Sequence, residues 1–358
     1  MPLARPPPGD LLMTGLRVFR AVRLVAAIVV VAALGAGCSS SARTSSSART
    51  TSGATRSLSP AVALERQYVA VVKTVAPAVV QIQTDQGLGS GVVFDGAGDI
   101  VTNAHVIANA GSLRVTLADG RRYDARLLGA YAPDDLAVVS IGRGRAVTAA
   151  TFADSSKVQV GDIVLAAGNP LGLQSSITDG IVSATGRAVS EGQGVVLPNA
   201  IQTSAAINPG NSGGALVDLE GRVIGIPTLA AVNPQSGAAA GIGFAIPSNL
   251  VHDIVDQIVA HGRVVDSHRA ALGVSLADNL ASPGAVVAAL QAGGPAATAG
   301  IAVGDSIEAI AGKSISSADD VATVLATLSV GQQVKVTFAS QDGARSTVTV
   351  TLGRLAAT

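Results

Sequence analysis

At 358 residues, with 48% hydrophobic and 13% charged residues, the chain has material for more than one hydrophobic core and is not a disordered polymer. Its 24 basic and 24 acidic residues cancel, and no Lys/Arg run stands out in the body of the chain, so a nucleic-acid surface has no electrostatic footprint. Trp is absent and aromatics make up 2%, while 41 glycines accompany many small aliphatics, a balance suited to β-strands joined by tight turns.

The chain opens on Arg5, Arg17, Arg20 and Arg23, followed by an uncharged run over 24–37 and then Cys38 with Ser39 and Ser40. A basic flank, an apolar stretch and small residues make an export signal over 1–38, too short for a comfortable spanning helix of about 20 residues. Cys38 is the single cysteine, so no disulfide forms within the chain. Leu34-Gly35-Ala36-Gly37-Cys38 resembles a bacterial lipobox, with Gly35 where an aliphatic is usual, and this resemblance implies lipidation at Cys38. Residues 39–60 are rich in Ser, Thr, Ala and Arg and cannot bury enough surface to offset ordering entropy, so they read as a flexible tether.

Over 61–75 the apolar residues Val62, Leu64, Tyr68, Val69 and Val72 fall at helical spacing, and the helix is expected to stop before Pro77. Short strands are predicted over 79–84, 91–94, 100–102, 113–117, 121–128 and 136–141, separated by turn signals such as Asp95-Gly96 and Asp119-Gly120. The same texture runs from 163 to 246, and strands at this spacing suggest an antiparallel barrel or sandwich. A helix over 247–261, with Leu250, Ile254, Val255 and Ile258 on one face, closes the region. A small α+β module follows: a helix over 318–328 with Ser317 and Asp320 at capping-box spacing, and a hairpin of 334–339 with 346–352 across Gln341-Asp342-Gly343.

Amide hydrolysis needs an activated nucleophile, a base, a group holding that base in one tautomer, and donors for the oxyanion. Asn208-Pro209-Gly210-Asn211-Ser212-Gly213-Gly214 offers a serine in a glycine loop, where the N–H groups of Gly210 and Ser212 can serve as donors. His105 follows a predicted strand and Asp135 precedes another, and the order His, Asp, Ser is that of chymotrypsin-type enzymes. An esterase with a nucleophile elbow needs a helix after the serine and the order Ser, Asp, His. Here Ala215-Leu216-Val217 and Val223-Ile224-Gly225-Ile226 read as strand, turn, strand. The dispersed histidines 252, 261 and 268 stand outside any triad pattern, no metal cluster is spaced for ligation, and no phosphate loop appears, so no cofactor is expected.

Six blocks carry a family resemblance: Gly89-Ser90-Gly91-Val92-Val93, Thr102-Asn103-Ala104-His105-Val106, Asp135-Leu136-Ala137-Val138, Gly168-Asn169-Pro170, residues 202–214 and Gly243-Phe244-Ala245-Ile246-Pro247. In content and order they resemble the HtrA/DegP group of trypsin-like serine proteases. The resemblance implies an all-β double antiparallel β-barrel over 61–262, with His105, Asp135 and Ser212 as the triad, Asp134 a bystander, and Gly210 and Ser212 as the oxyanion hole. It also places the S1 pocket at Ala206 and Ile207, whose uncharged floor disfavours Lys or Arg at P1. Ala271-Leu272-Gly273-Val274, Pro295, Ala299-Gly300-Ile301 and Gly304-Asp305 resemble a PDZ domain over 268–355, with residues 271–274 as the loop that receives a peptide C-terminus. What the resemblance implies is an endopeptidase of the cell envelope acting on unfolded proteins, assembled as a homotrimer through Tyr68 and its helix. A chaperone or scaffold with a latent protease site is the alternative.

Overall fold

The computed structural model describes residues 59–169, 176–192, 195–208, 210–233, 237–278 and 284–356; the export segment with Cys38, and nearly all of the tether, lie outside the described residues. Helix α1 (Pro60–Val75) starts where Ser59 caps the N–H of Val62 and Pro60 supplies a fixed φ at the first turn, and it ends in a 3-10 turn built around Pro77.

Seven strands follow: β1 (Val79–Thr84), β2 (Leu88–Val93), β3 (Asp99–Thr102), β4 (Leu113–Thr116), β5 (Arg122–Asp124), β6 (Arg126–Tyr131) and β7 (Leu136–Ser140). A short helix, α2 (Ala104–Ile107), separates β3 from β4. The sheet order is β5-β4-β1-β2-β3-β7-β6, every pairing antiparallel. The expected single strand over 121–128 is therefore two strands that break at Ala125, whose N–H turns to the Leu113 carbonyl. Because β5 and β6 adjoin in sequence yet lie at opposite ends of the sheet path, the sheet has to curl until its edges approach.

A second set, β8 (Ile163–Gly168), β9 (Ser176–Gly192), β10 (Val195–Thr203), β11 (Ala215–Val217), β12 (Val223–Asn233) and β13 (Gly237–Pro247), closes completely as a barrel in the order β10-β13-β12-β11-β8-β9. Helix α3 (Ser248–His261) then packs its Val251, Ile254, Val255 and Ile258 inward and stops at Gly262, whose φ of +73° suits glycine.

Strand β7 shows why these strands read as nearly unbroken apolar runs. Ala137 and Val139 face the interior of their own curled sheet, whereas Leu136 and Val138 join the core shared with the second barrel. That shared core also takes Leu165, Leu197, Ile226 and Ile246 from the barrel and Val71 and Val75 from α1. Both faces of β7 are thus dry, and the curled sheet shares a core with the barrel.

The C-terminal module has its own core, including Leu272, Ile307, Val336, Phe338 and Val350. Two-residue strands β14 (Ala270–Ala271) and β21 (Gly353–Arg354) pair at its base. Its main sheet runs β15 (Val274–Asp278), β16 (Ala285–Leu290), β17 (Ser306–Ile310), β19 (Gln333–Ala339), β20 (Arg345–Thr351), with β18 (Lys313–Ser314) paired to β17. Helices α4 (Pro295–Thr298) and α5 (Ala318–Leu325) complete it. Ser317 accepts the Asp320 N–H as the cap of α5, and the expected helix over 318–328 finishes as hydrogen-bonded turns at Thr327 and Leu328.

A buried ion pair links the two parts of the fold. Arg269 Nη1 donates to the Pro133 carbonyl at 2.6 Å and to Asp134 Oδ1 at 3.0 Å. Asp134 is fully buried, and its Oδ2 has no hydrogen-bond partner among the described residues. Burial pushes the Asp134 carboxyl up to about 6, against the opposing pull of the Arg269 guanidinium and with a smaller push from Asp253. A carboxyl whose folded pKa lies above its unfolded value favours the fold most at low pH, and that contribution is lost as pH rises from about 4 through about 6. Asp134→Asn, which keeps an acceptor for Arg269 but cannot titrate, should therefore gain on the parent protein between pH 4 and pH 7. The gain should be up to ~3 kcal/mol in urea denaturation, from a shift of roughly two units.

Candidate active site

Helix α2 with His105 and the turns that carry Asp135 and Ser212 meet where the curled sheet faces the barrel. Asp135 follows the 3-10 turn Ala132–Asp134 and takes a left-handed conformation, φ +50° and ψ +40°, an arrangement aspartate tolerates better than most residues. This turn aims its side chain across β3 toward the first turn of α2. There the Asp135 carbonyl receives the Ala104 N–H at 3.1 Å and Asn103 Nδ2 at 3.0 Å, which ties the aspartate backbone to the histidine turn.

The Asp135 carboxylate has its partners at close range. Oδ1 accepts the backbone N–H of His105 at 2.9 Å, and Oδ2 lies 2.8 Å from His105 Nδ1 and 2.6 Å from Thr228 Oγ1. The Asp135 side chain is 4% exposed and that of His105 is 50% exposed, so the acid end of the pair is dry and the histidine faces the surface. An ionised carboxylate only accepts, so Nδ1 carries the proton and Nε2 is the acceptor of the ring.

Ser212 approaches from the second barrel. Its carbonyl receives the Ser90 N–H at 3.0 Å, and its Oγ donates to the Thr228 carbonyl at 2.9 Å. Thr228 thereby touches two of the three candidate residues, one through its hydroxyl and one through its carbonyl. Sequence reasoning did not single it out. The available signal was a hydroxyl residue on β12, sixteen positions past the serine and across the hairpin from it.

The loop around Ser212 depends on glycine. Gly210 has φ +103° and Gly213 φ +78°. A Cβ on Gly213 would collide with the Ser90 carbonyl and the Thr102 hydroxyl, and the Gly213 N–H donates to the Pro227 carbonyl at 3.0 Å. Ala206 is exposed, and its carbonyl accepts from Thr178 Oγ1 at 2.8 Å and Asn211 Nδ2 at 3.3 Å, so it adjoins the loop of Ser212. Ile207 instead buries its side chain in the core of the second barrel with Val164, Val182 and Ile201. Asp134 points away from His105 and is occupied by Arg269. Among the described residues no group of three or more His, Cys, Asp or Glu is arranged to hold a metal ion.

A second concave site lies in the C-terminal module. Leu272, Gly273 and Val274, with Leu276 on β15 and Val321 and Leu325 on α5, line a groove of about 580 Å³. Ala271 also lines it, as does Pro133 from the turn before Asp135. Strand β15 is the edge of its sheet, so its outer backbone groups face this groove in the manner required for strand addition.

Comparison with known proteins agrees with this architecture. Residues 89–226 match the trypsin-like peptidase domain family and residues 270–352 the PDZ domain family. The chain is 42% identical over 264 residues to the periplasmic serine endoprotease DegP of Salmonella typhimurium, an alignment covering 72% of this chain and 55% of that one. It is 40% identical over 292 residues to the serine protease Do-like HtrA of Lactococcus lactis subsp. cremoris, covering 74% and 70%. The chain thus spans about half the length of the DegP relatives it matches. Among solved structures, the HtrA-type protease AlgW with decapeptide is 33% identical with a TM-score of 0.56, covering 80% of this chain and 98% of that one. The serine endoprotease from Yersinia pestis is 35% identical, also at 0.56, with the same coverage of 80% and 98%. By identity, coverage and architecture together, the chain belongs to the HtrA/DegP family of trypsin-like serine proteases with a C-terminal PDZ domain.

Proposed function

We propose that this chain is an exported, membrane-tethered serine endopeptidase that degrades misfolded envelope proteins, with Ser212, His105 and Asp135 as its catalytic triad. The observation that carries the reading is the dry Asp135 carboxylate gripping His105 Nδ1 at 2.8 Å while Thr228 joins the same carboxylate to the Ser212 hydroxyl. Its domains are the protease over 61–262 and the PDZ domain over 268–355. The location rests on the export signal and on relatives that are periplasmic endoproteases, and the tether ends in lipid at Cys38. Among the described residues no helix is long and apolar enough to cross a membrane.

In this reading His105 Nε2 takes the Ser212 proton as Oγ attacks the scissile carbonyl, and the imidazolium that forms is stabilised by Asp135. The oxyanion is received by the N–H groups of Gly210 and Ser212. One step precedes these. The Ser212 hydroxyl has a single proton, which rests on the Thr228 carbonyl, so it must turn to Nε2 before attack. That resting hydrogen bond also favours a second reading, a PDZ-dependent chaperone or scaffold whose protease site is latent. Fluorophosphonate labelling separates the two: the protease reading expects labelling that Ser212→Ala abolishes, and absence of labelling with and without a PDZ peptide would leave the latent reading standing.

Ala206, small and uncharged, forms the floor of the S1 pocket, whereas Ile207 is taken up by the barrel core, and aliphatic residues are preferred at P1. Mass-spectrometric mapping of cuts in unfolded casein should show few after Lys or Arg; a majority there would overturn this assignment. The PDZ groove takes the C-terminus of an extended peptide as a strand beside β15, with its carboxylate held by the backbone of residues 271–274.

Helix α1 leaves Val62, Leu64 and Val69 at 36%, 41% and 48% exposure, with Tyr68 half-buried beside them, and this apolar face serves a homotrimer. Sedimentation should give three chains per particle at micromolar concentration, and a clean monomer would count against it.

A further inference from the structure

Ser90 lies on β2 of the curled sheet, fully buried, between Gly89 and Gly91. All four of its polar contacts serve the candidate site. Its N–H donates to the Ser212 carbonyl at 3.0 Å, and its carbonyl accepts Thr102 Oγ1 at 2.7 Å. Its Oγ donates to the Gly210 carbonyl at 2.5 Å and accepts the Asn169 N–H at 2.8 Å. The Asn169 contact matters because a hydroxyl can rotate. With an N–H occupying a lone pair of Oγ, the hydroxyl proton is directed at Gly210.

Gly210 needs such a tether. It has no Cβ, so sterics do not hold φ at +103°, and many other backbone angles are open to it. Ser212 is held by the Ser90 backbone, which a side-chain change leaves in place, but the Gly210 carbonyl is held by the Ser90 hydroxyl. We infer that Ser90 is a positioning residue for catalysis, whose side chain reaches across from the first sheet to fix the oxyanion loop of the second barrel by anchoring Gly210 and Asn169 together. The inference rests on the protease reading for its kinetic consequence, while the anchoring itself does not.

The test compares Ser90→Ala with Ser90→Thr, which restores a hydroxyl, in the full chain. With a peptide substrate, Ser90→Ala should lower kcat roughly 10- to 100-fold, short of or comparable to the ~10²- to 10³-fold loss of an oxyanion donor, with KM within about twofold. The affinity of a peptide boronate, which fills the oxyanion hole, should fall in parallel with kcat, and Ser90→Thr should recover most of both. Melting temperature and binding of a PDZ peptide report whether the variants remain folded. Hydrogen exchange over 208–214 is read in the same proteins, and Ser90→Ala should accelerate it while Ser90→Thr restores it.

Unchanged kcat, boronate affinity and exchange in folded Ser90→Ala would overturn the inference. So would equal losses in kcat and PDZ binding that Ser90→Thr does not recover, since these mark a general structural defect. If the parent protein shows no Ser212-dependent labelling, the protease reading fails by itself, and the exchange measurement still decides whether Ser90 anchors the loop.

Discussion

A single buried carboxylate organises the face between the two halves of the protease domain. Asp135 comes from the turn between β6 and β7, its partners at His105 from the turn after β3, and its partner Thr228 from β12 of the other barrel. A dry carboxylate is costly unless donors surround it, so each of these contacts is required by the others. The carboxylate therefore fixes the position and tautomer of His105 and also registers the curled sheet against the closed barrel. If β12 moved away from β7, the Thr228 contact would be lost to Asp135 and to Ser212 together.

The Ser212 side of the candidate site is supported differently. Around Ser212 the chain gives up side chains for backbone freedom, and Gly213 is a position where any Cβ would strike the Ser90 carbonyl. Glycine permits this conformation but does not enforce it. Enforcement comes from hydrogen bonds that cross from β2 and from the Pro227 carbonyl on β12. The Asp135–His105 pair and the glycine loop thus meet at Thr228, which accepts the serine hydroxyl.

The PDZ domain is attached close to this machinery. Arg269 immediately precedes β14, and its guanidinium holds the carbonyl of Pro133 and the carboxylate of Asp134 in the turn that delivers Asp135. Pro133 also borders the groove beside β15. Asp134 is therefore no spectator of the fold, although its side chain turns away from His105. Sequence reading separated it from Asp135 by the family pattern alone, because the two residues are chemically identical and adjacent. Only the left-handed turn at Asp135 sends one toward the histidine and the other toward Arg269.

Much of the architecture was written in local patterns. The helix over 61–75, the amphipathic stretch that became α3 and the hairpin of β19 with β20 follow from apolar periodicity, proline and turn residues, which act within a few positions. The break of 121–128 into β5 and β6 was not legible, because it arises from pairing with opposite edges of a curled sheet and leaves no turn residue at Ala125. By itself the sequence determined the supply of chemistry: a histidine, an aspartate and a serine among glycines, in an order and context shared with one family. Tertiary structure alone decided which neighbours those groups have, including Thr228 on Asp135, Ser90 on Gly210 and Arg269 on Asp134. These contacts join residues 93, 120 and 135 positions apart, and no local propensity encodes a hydrogen bond that exists only when two sheets have packed.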